Sequence, residues 1–382
     1  MSSKTLFLWV MVICCVISFM ATYTLYHFPG ERSVMLILTA VMGLANIEKM
    51  LDTRYTQWAM LFAILSVLAM ILPILNSTMP DFMNLSSIMF GFFFILLKNE
   101  YKLFVFDKFV IIISVLLALS LIEFYVLSFT HFGIRLGIVQ RGETTFFFEH
   151  YLFNMIKLGG VRFQSLCAEP STVGEISGFM LFLLDDMKKY KKSFYVFLIA
   201  GLTSLSLTFI AFLIRYVFWI GSRFNIKAAI GTLLIISLTT VLIGENINTY
   251  ITERIESEEY DDRASEEFKQ IYGQYLDSSD VWFGKGNGAV KEIDDSGVTV
   301  GFRREIYEIG VVGVFLIFLA FSIPYFKMSP KRLFVAMFFI VYCISYYSSS
   351  SVYHAVKIME IFVVPAIVLY KGKNNEMNFL EE

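Results

Sequence analysis

"RFQSLCAEPSTVGEISG", residues 162–178, places an arginine and two carboxylates at the entrance to an apolar run that continues to Leu184. Pro170 suits the first turn of a helix, where a missing N–H costs nothing, and Ser171 and Thr172 can serve the orphan donors there. Glu169, just outside, complements the positive end of the helix dipole. That accounts for Glu169 without a function. It does not account for Glu175, one turn further in. A carboxylate inside an apolar helix is a functional candidate by default, and its cheapest partner is an arginine from a neighbouring loop.

Similar apolar runs recur along the chain. They lie near 5–27, 33–47, 56–75, 82–98, 104–130, 171–187, 194–204, 205–221, 226–244, 304–326, 331–348 and 352–371. The composition agrees, with 57% hydrophobic and 17% charged residues, where a soluble domain carries about 25% charge. The expectation is an all-α polytopic integral membrane protein with about 12 transmembrane helices. Only Lys4 precedes the first run and no small-residue cleavage site follows it, so it reads as a retained span rather than a signal peptide. Residues 194–221 read as two short helices turning near "TSLSLT" (203–208), where serine and threonine can bond the freed backbone. With that turn the lysine and arginine clusters share one side, which makes both termini cytoplasmic.

The expected organisation is helices 1–5 in 1–130, a long periplasmic loop in 131–170, and helices 6–9 in 171–244. A second long loop in 245–303 and helices 10–12 with a tail in 304–382 complete it. Each loop carries an amphipathic stretch. "TTFFFEHYLFNMIK" sets Phe147, Phe148, Tyr151, Leu152 and Met155 on one helical face, as in a helix lying in the membrane interface. In the second loop Ala264, Phe268, Ile271, Tyr272 and Tyr275 share a face, with Asp262 placed to cap the helix.

The net charge of −2 gives no bulk basic character, so no nucleic-acid partner is expected. The four cysteines form neither a disulfide framework nor a metal-ligand spacing. The carboxylate pairs Asp261–Asp262 and Asp294–Asp295 have simple capping or turn readings, so neither metal nor cofactor is expected.

Arg162, Arg254, Arg263, Arg303 and Arg304 fall in or beside the two loops. An arginine fork suits phosphate, and several at a membrane surface would suit a lipid-linked pyrophosphate. The plainer reading is side chains snorkelling to lipid headgroups. Arg303 and Arg304 open a helix, where the dipole disfavours cations unless an anion lies between them. "GKGNG" (284–288) is either a turn or a close backbone approach to phosphate or sugar. It follows no strand and opens no P-loop helix, which argues against nucleotide. Gly310 and Gly313 fit close helix packing. His150 and His354 are possible bases, though a lone histidine is more often structural.

Taken together, "RFQSLCAEPSTVGEISG", "DDR" (261–263), "FGKGNG" (283–288) and "EIYEIGVVGVF" (305–315) resemble, in order, elements of the O-antigen polymerase and ligase superfamily. The likeness covers roughly residues 100–320. Ligases of that superfamily carry a His-Asn pair where this chain has Thr299 and Val300, which favours the Wzy-type polymerase. The resemblance implies a metal-independent, GT-C-like glycosyltransferase of the bacterial inner membrane with a periplasmic active site, working in lipopolysaccharide or related surface-polysaccharide biosynthesis. Its partners would be undecaprenyl-pyrophosphate-linked glycan as donor and acceptor, membrane lipids, and a chain-length regulator. Arg162, Arg263, Arg303, Arg304, Glu169 and Glu175 would be catalytic. Arg162, Gly284, Gly286, Gly288 and Glu308 would contact substrate. An O-antigen ligase and a polysaccharide exporter or flippase are the alternatives.

Overall fold

In the computed structural model the described residues are 3–20, 48–76, 85–130, 132–140, 147–157, 162–167, 169–185, 187–222, 266–286, 288–293, 301–326, 333–348 and 354–371. In chain order the elements are α1 (Ser3–Phe19), α2 (Thr56–Ile71), α3 (Leu85–Leu96), α4 (Asn99–Thr130), β1 (Arg135–Gln140), β2 (Phe147–Tyr151) and β3 (Met155–Lys157). There follow α5 (Pro170–Leu184), α6 (Lys191–Thr203), α7 (Leu207–Ser222), α8 (Glu266–Leu276), α9 (Ala289–Ile293), α10 (Gly301–Phe326), α11 (Leu333–Ser348) and α12 (Ala355–Lys371). Short 3-10 turns at Thr53–Tyr55 and Leu72–Asn76 extend α2 at both ends, and another covers Ser279–Trp282. The chain divides into two compact units. One comprises Met1–Phe19, His27–Phe109 and Ala264–Glu382, the other Met20–Tyr26 and Val110–Arg263.

In the first unit α10 packs along α2, α3 lies against α2 and α12, and α1 lies against α12. Phe62 of α2 is the hub. Its ring meets Phe321 of α10 and Phe362 of α12 edge-on, with both centroids at 5.3 Å. Gly91 of α3 makes room for it, since a Cβ there would stand 2.5 Å from the Phe62 ring. In the second unit α5 packs against α6 and α7. A Cβ at Gly178 would lie 2.6 Å from Phe212 of α7, so that glycine sets the distance of approach.

The expected array of about 12 membrane-crossing helices is not what the structure shows. Among the described residues three helices are long and apolar enough to cross a membrane: Thr53–Asn76, Asn99–Thr130 and Phe302–Phe326. Ser3–Phe19, Leu85–Leu96, Pro170–Leu184, Leu207–Ile220 and Ala336–Tyr347 are apolar but span only 10–17 residues. At 1.5 Å per residue a 15-residue helix such as α5 covers roughly 22 Å of the ~30 Å hydrocarbon core. Hydropathy misled because it measures apolarity and not what the apolar side chains touch. In α5 every residue from Val173 to Leu184 is buried within the protein, so its composition is that of a core helix. The runs at 33–47 and 226–244 lie outside the described residues.

The expected break inside 194–221 is present. α6 ends at Thr203 and α7 begins at Leu207, with Leu205 at φ 49° between them. At the break Ser204 Oγ donates to Gly201 O at 2.6 Å, while Thr203 Oγ1 bonds back one turn within α6 to Ile199 O at 2.8 Å.

The expected interface helix over "TTFFFEHYLFNMIK" is instead part of a three-stranded antiparallel sheet in the order β1-β2-β3. Burial alternates along β2, with Phe148 and His150 inside and Phe147 outside, which is the period of a strand. Aromatic residues favour that state. Phe148, Met155 and Leu166 form a small core there. Glu123 of α4 anchors the β2–β3 turn. Its carboxylate accepts the Leu152 N–H at 3.0 Å, the Phe153 N–H at 2.8 Å and the Asn154 side-chain amide at 2.9 Å. The amphipathic helix expected around Phe268 and Tyr275 is present as α8, with both residues buried. Asp262, its expected cap, lies outside the described residues.

Glu123→Ala would orphan those three donors at once. The expected cost is roughly 2–3 kcal/mol. Hydrogen exchange should show faster exchange of the Leu152 and Phe153 amides and unchanged exchange along α5.

Candidate functional site

The glycine-rich stretch 284–288 and the glycines of α10 meet in the first unit. α10 is not one continuous helix: Gly310 sits at φ 73°, ψ 170° and breaks it. The break frees carbonyls that the helix would otherwise bond. Tyr275 Oη donates to Ile306 O at 2.7 Å, Lys285 N–H to Tyr307 O at 2.8 Å, and Gly286 N–H to Glu308 O at 2.9 Å. Loop and helix touch backbone to backbone. A Cβ on Gly310 would stand 2.5 Å from Trp282 O and 2.6 Å from Gly284 N, and Gly284 itself has φ 81°. Asn76, at the end of the 3-10 turn after α2, donates its side-chain amide to Gly284 O and to Asp280 O. Lys285 pairs with Asp280. Gly310 therefore serves a helix break rather than the helix–helix packing expected for it.

Glu308, expected to contact substrate, is turned onto the protein. Its Oε1 accepts the Gly288 N–H and Arg304 Nε, both at 3.1 Å. The amides of Gly284, Gly286 and Gly288 donate to Asp280 O, Glu308 O and Glu308 Oε1. The glycines thus cradle one of the chain's own carboxylates and the end of its own helix.

Adjacent arginines have different surroundings. Arg304 is held on Glu308, one turn along. Arg303, half-buried, forms no ion pair with any described residue and acts electrostatically on Tyr272. Burial raises the Tyr272 phenol pKa and the Arg303 charge opposes that rise. Tyr272 belongs to an aromatic cluster with Phe268, Tyr275 and Tyr307, in which the Tyr275 and Tyr307 rings lie 4.7 Å apart. Trp282, in the 3-10 turn that follows α8, is exposed. Sequence reasoning did not pick out Asn76 or Asp280, and it read Tyr275 only as part of an amphipathic face. Only the fold brings them to the loop.

In the second unit Arg162 donates from Nε to Ser204 O and from Nη2 to Leu205 O, both at 3.1 Å. A guanidinium on the carbonyls that end α6 complements the negative end of that helix. Glu169 is exposed, caps α5 in extended conformation and accepts the Ser171 hydroxyl at 3.1 Å. Glu175 is buried beside Gly174, at which a Cβ would collide with Ser206. Gln164, Ser177 and Ser206 each bury a polar side-chain atom that has no partner among the described residues. No periodicity in the sequence marks these three. His150 is buried within the sheet. Arg254 and Arg263, with the rest of "DDR", lie outside the described residues.

No protein-family model, curated protein or solved structure matches the chain. With three membrane-length helices in place of about 12, the fold that the superfamily resemblance required is absent among the described residues. That removes the resemblance to an O-antigen polymerase. The glycosyltransferase class, its repeat-unit polymerisation, the surface-polysaccharide role and the polytopic inner-membrane placement fall with it, because each rested on that fold. Among the described residues no group of three or more His, Cys, Asp or Glu side chains is placed to hold a metal ion.

The glycine contacts give graded expectations. Gly310→Ala combines left-handed strain with a backbone clash and should cost about 3 kcal/mol or more. Gly288→Ala meets no atom within 4 Å but keeps φ 83°, so about 1 kcal/mol is expected. Gly273→Ala, helical with nothing within 4 Å, should stabilise by roughly 0.5–1 kcal/mol. Thermal unfolding of the three variants in detergent checks the order.

Proposed function

We propose that this chain is a lipid-contacting binding protein whose ligand carries a phosphate group on a lipid. The observation that carries the reading is Arg303. It stands at the first turn of α10 without an ion pair among the described residues, while its neighbour Arg304 is occupied by Glu308. A half-buried guanidinium beside an aromatic cluster is costly to leave without an anion, and its planar fork matches phosphate. The dipole of α10 makes a cation at that position unfavourable by itself and favours an anion beside it.

The lipid part of the reading rests on α2, which packs along α10. Met60, Leu61, Ile64, Val67, Leu68 and Ile71 are exposed at helical spacing and form a continuous apolar stripe. Water penalises such a stripe and hydrocarbon does not. A ligand with a polyprenyl tail could lie along it and present its phosphate at the end of α10. The arginines of the sequence suit a lipid-linked pyrophosphate, and an undecaprenyl-pyrophosphate-linked glycan is the ligand of this kind that the superfamily resemblance implied. In this reading it is bound, with no transfer step. Trp282 and Tyr272 add ring faces on which a sugar could stack.

The test is a titration of detergent-purified protein with undecaprenyl pyrophosphate, undecaprenol and inorganic pyrophosphate, followed by Trp282 fluorescence. Undecaprenyl pyrophosphate should bind tightest. Loss of a charge-assisted bond worth roughly 1.5–3 kcal/mol makes Arg303→Ala about ten- to a hundredfold weaker, and Arg303→Lys should recover little. Arg304→Ala should lower thermal stability instead, by freeing Glu308. Equal affinity for undecaprenol, or an unchanged Arg303→Ala, removes the phosphate assignment.

A further inference from the structure

A second polar site lies at the opposite end of α2 in the same unit, and it points to a second ligand. A cleft of about 440 Å³ opens between the turn before α2 and the start of α4, walled by Asp52, Arg54, Lys98, Asn99 and Glu100. Its frame is fixed by backbone pairing. Leu51 and Leu97 form an antiparallel bridge, Asp52 N–H donates to Leu96 O at 2.8 Å, and Lys98 N–H donates to Met50 O at 3.0 Å. Tyr55 Oη ties the α2 side to Asn99 Oδ1 at 3.2 Å.

The cations around the cleft are held in place rather than neutralised in full. Arg54 donates Nε and Nη2 to Asp52, with the shortest bond at 2.7 Å, and leaves its other N–H groups clear of described residues. That pairing, in the first place the side-chain bond from Arg54, holds the Asp52 carboxyl below its ordinary pKa. Lys98 Nζ rests on Lys49 O at 2.8 Å. Behind them lies Lys102, 2% exposed, its ammonium 4.0 Å from the Tyr55 ring centroid. That amine makes no hydrogen bond or ion pair with any described residue; burial pulls its pKa down to about 7, and the Asp52 charge opposes that shift. The carboxylates of this end are Glu48, Asp52 and Glu100, against Lys49, Arg54, Lys98 and Lys102, with Lys4 close by over Tyr101. A buried ammonium with only a ring face for company is expensive without an anion.

Directly above the cleft Tyr55 and Trp58 pair edge-on at 5.2 Å, and the apolar stripe begins at Met60 and Leu61. Cations, then amphipathic aromatics, then hydrocarbon is the order met by a helix passing from headgroups into acyl chains. We propose that the cleft binds the phosphodiester headgroup of an anionic phospholipid, with its acyl chains along α2. The phosphate sits between Arg54, Lys98 and the N-terminus of α4, above Lys102. This rests on the reading that α2 contacts lipid, but not on Arg303.

The experiment reconstitutes the full chain in nanodiscs of phosphatidylcholine containing one-tenth phosphatidylglycerol and measures retained lipid by native mass spectrometry. The wild type should enrich phosphatidylglycerol about fivefold or more over the bulk ratio. Arg54→Ala with Lys98→Ala should return it to the bulk ratio, and Arg303→Ala should leave the enrichment intact. Lys102→Met removes the buried amine without removing volume, so it should lose enrichment while keeping or raising thermal stability. Enrichment that survives both variants, or a wild type at the bulk ratio, overturns the proposal. Glycerol 3-phosphate raising the wild-type Tm as far as phosphatidylglycerol does would make this a site for free phosphate and overturn the lipid assignment. A chain that fails to enter the nanodisc overturns the reading of α2 as well. One that enters without enrichment overturns the cleft alone.

Discussion

The contact of the Gly284 backbone with the Gly310 backbone is the constraint on which the first unit depends. Both residues have positive φ, and neither has room for a Cβ. The break at Gly310 would leave carbonyls 306–308 without partners, and the loop supplies them. Because the loop is thereby fixed, Asp280, Lys285 and Asn76 are fixed with it, and Glu308 is drawn back onto Gly288. Arg304 follows Glu308. Arg303, on the same turn, is left without an ion pair among the described residues.

Much of the helical content was legible, and for a plain reason. Long apolar runs between polar connections form helices whether they face lipid or other helices, so α2, α4, α5, α10, α11 and α12 all fall on expected runs. What faces them is not written in their hydropathy. α5 is buried along its whole apolar length, while α4 leaves Ile111, Val115, Leu119, Ile122 and Val126 exposed in one stripe. Both runs are apolar in sequence, one 32 and the other 15 residues long, and their neighbours decide which faces are covered. The β2 segment failed for another reason. Its aromatic residues satisfy a helical face and a strand face equally, and the deciding contact, Glu123 under the turn, comes from a residue some 30 positions earlier.

The candidate site was legible in its residue types and not in its pairing. Arg162 has the chemistry of a phosphate ligand, yet two of its donors go to the end of α6, a helix break that the sequence did reveal without showing what would cap it. The glycines of "GKGNG" offered a close approach, and the group that approaches is a helix of the same chain. Arg303 and Arg304 could not be told apart until Glu308 was seen to face only one of them.

The fixing of α2 at both ends has a mechanical consequence. Asp52 and Tyr55 tie one end to the α3–α4 junction, and Asn76 ties the other to the loop at Gly284. A helix free at one end can tilt when the surrounding hydrocarbon thins, which is the cheap response to hydrophobic mismatch. This one is clamped like the fixed jaw of a caliper. In the proposed setting, with α2 against lipid, a change in bilayer thickness would be taken up by the lipid itself or be felt as load on the two clamps. One clamp holds the broken helix at Gly310 and the other the frame around Lys102.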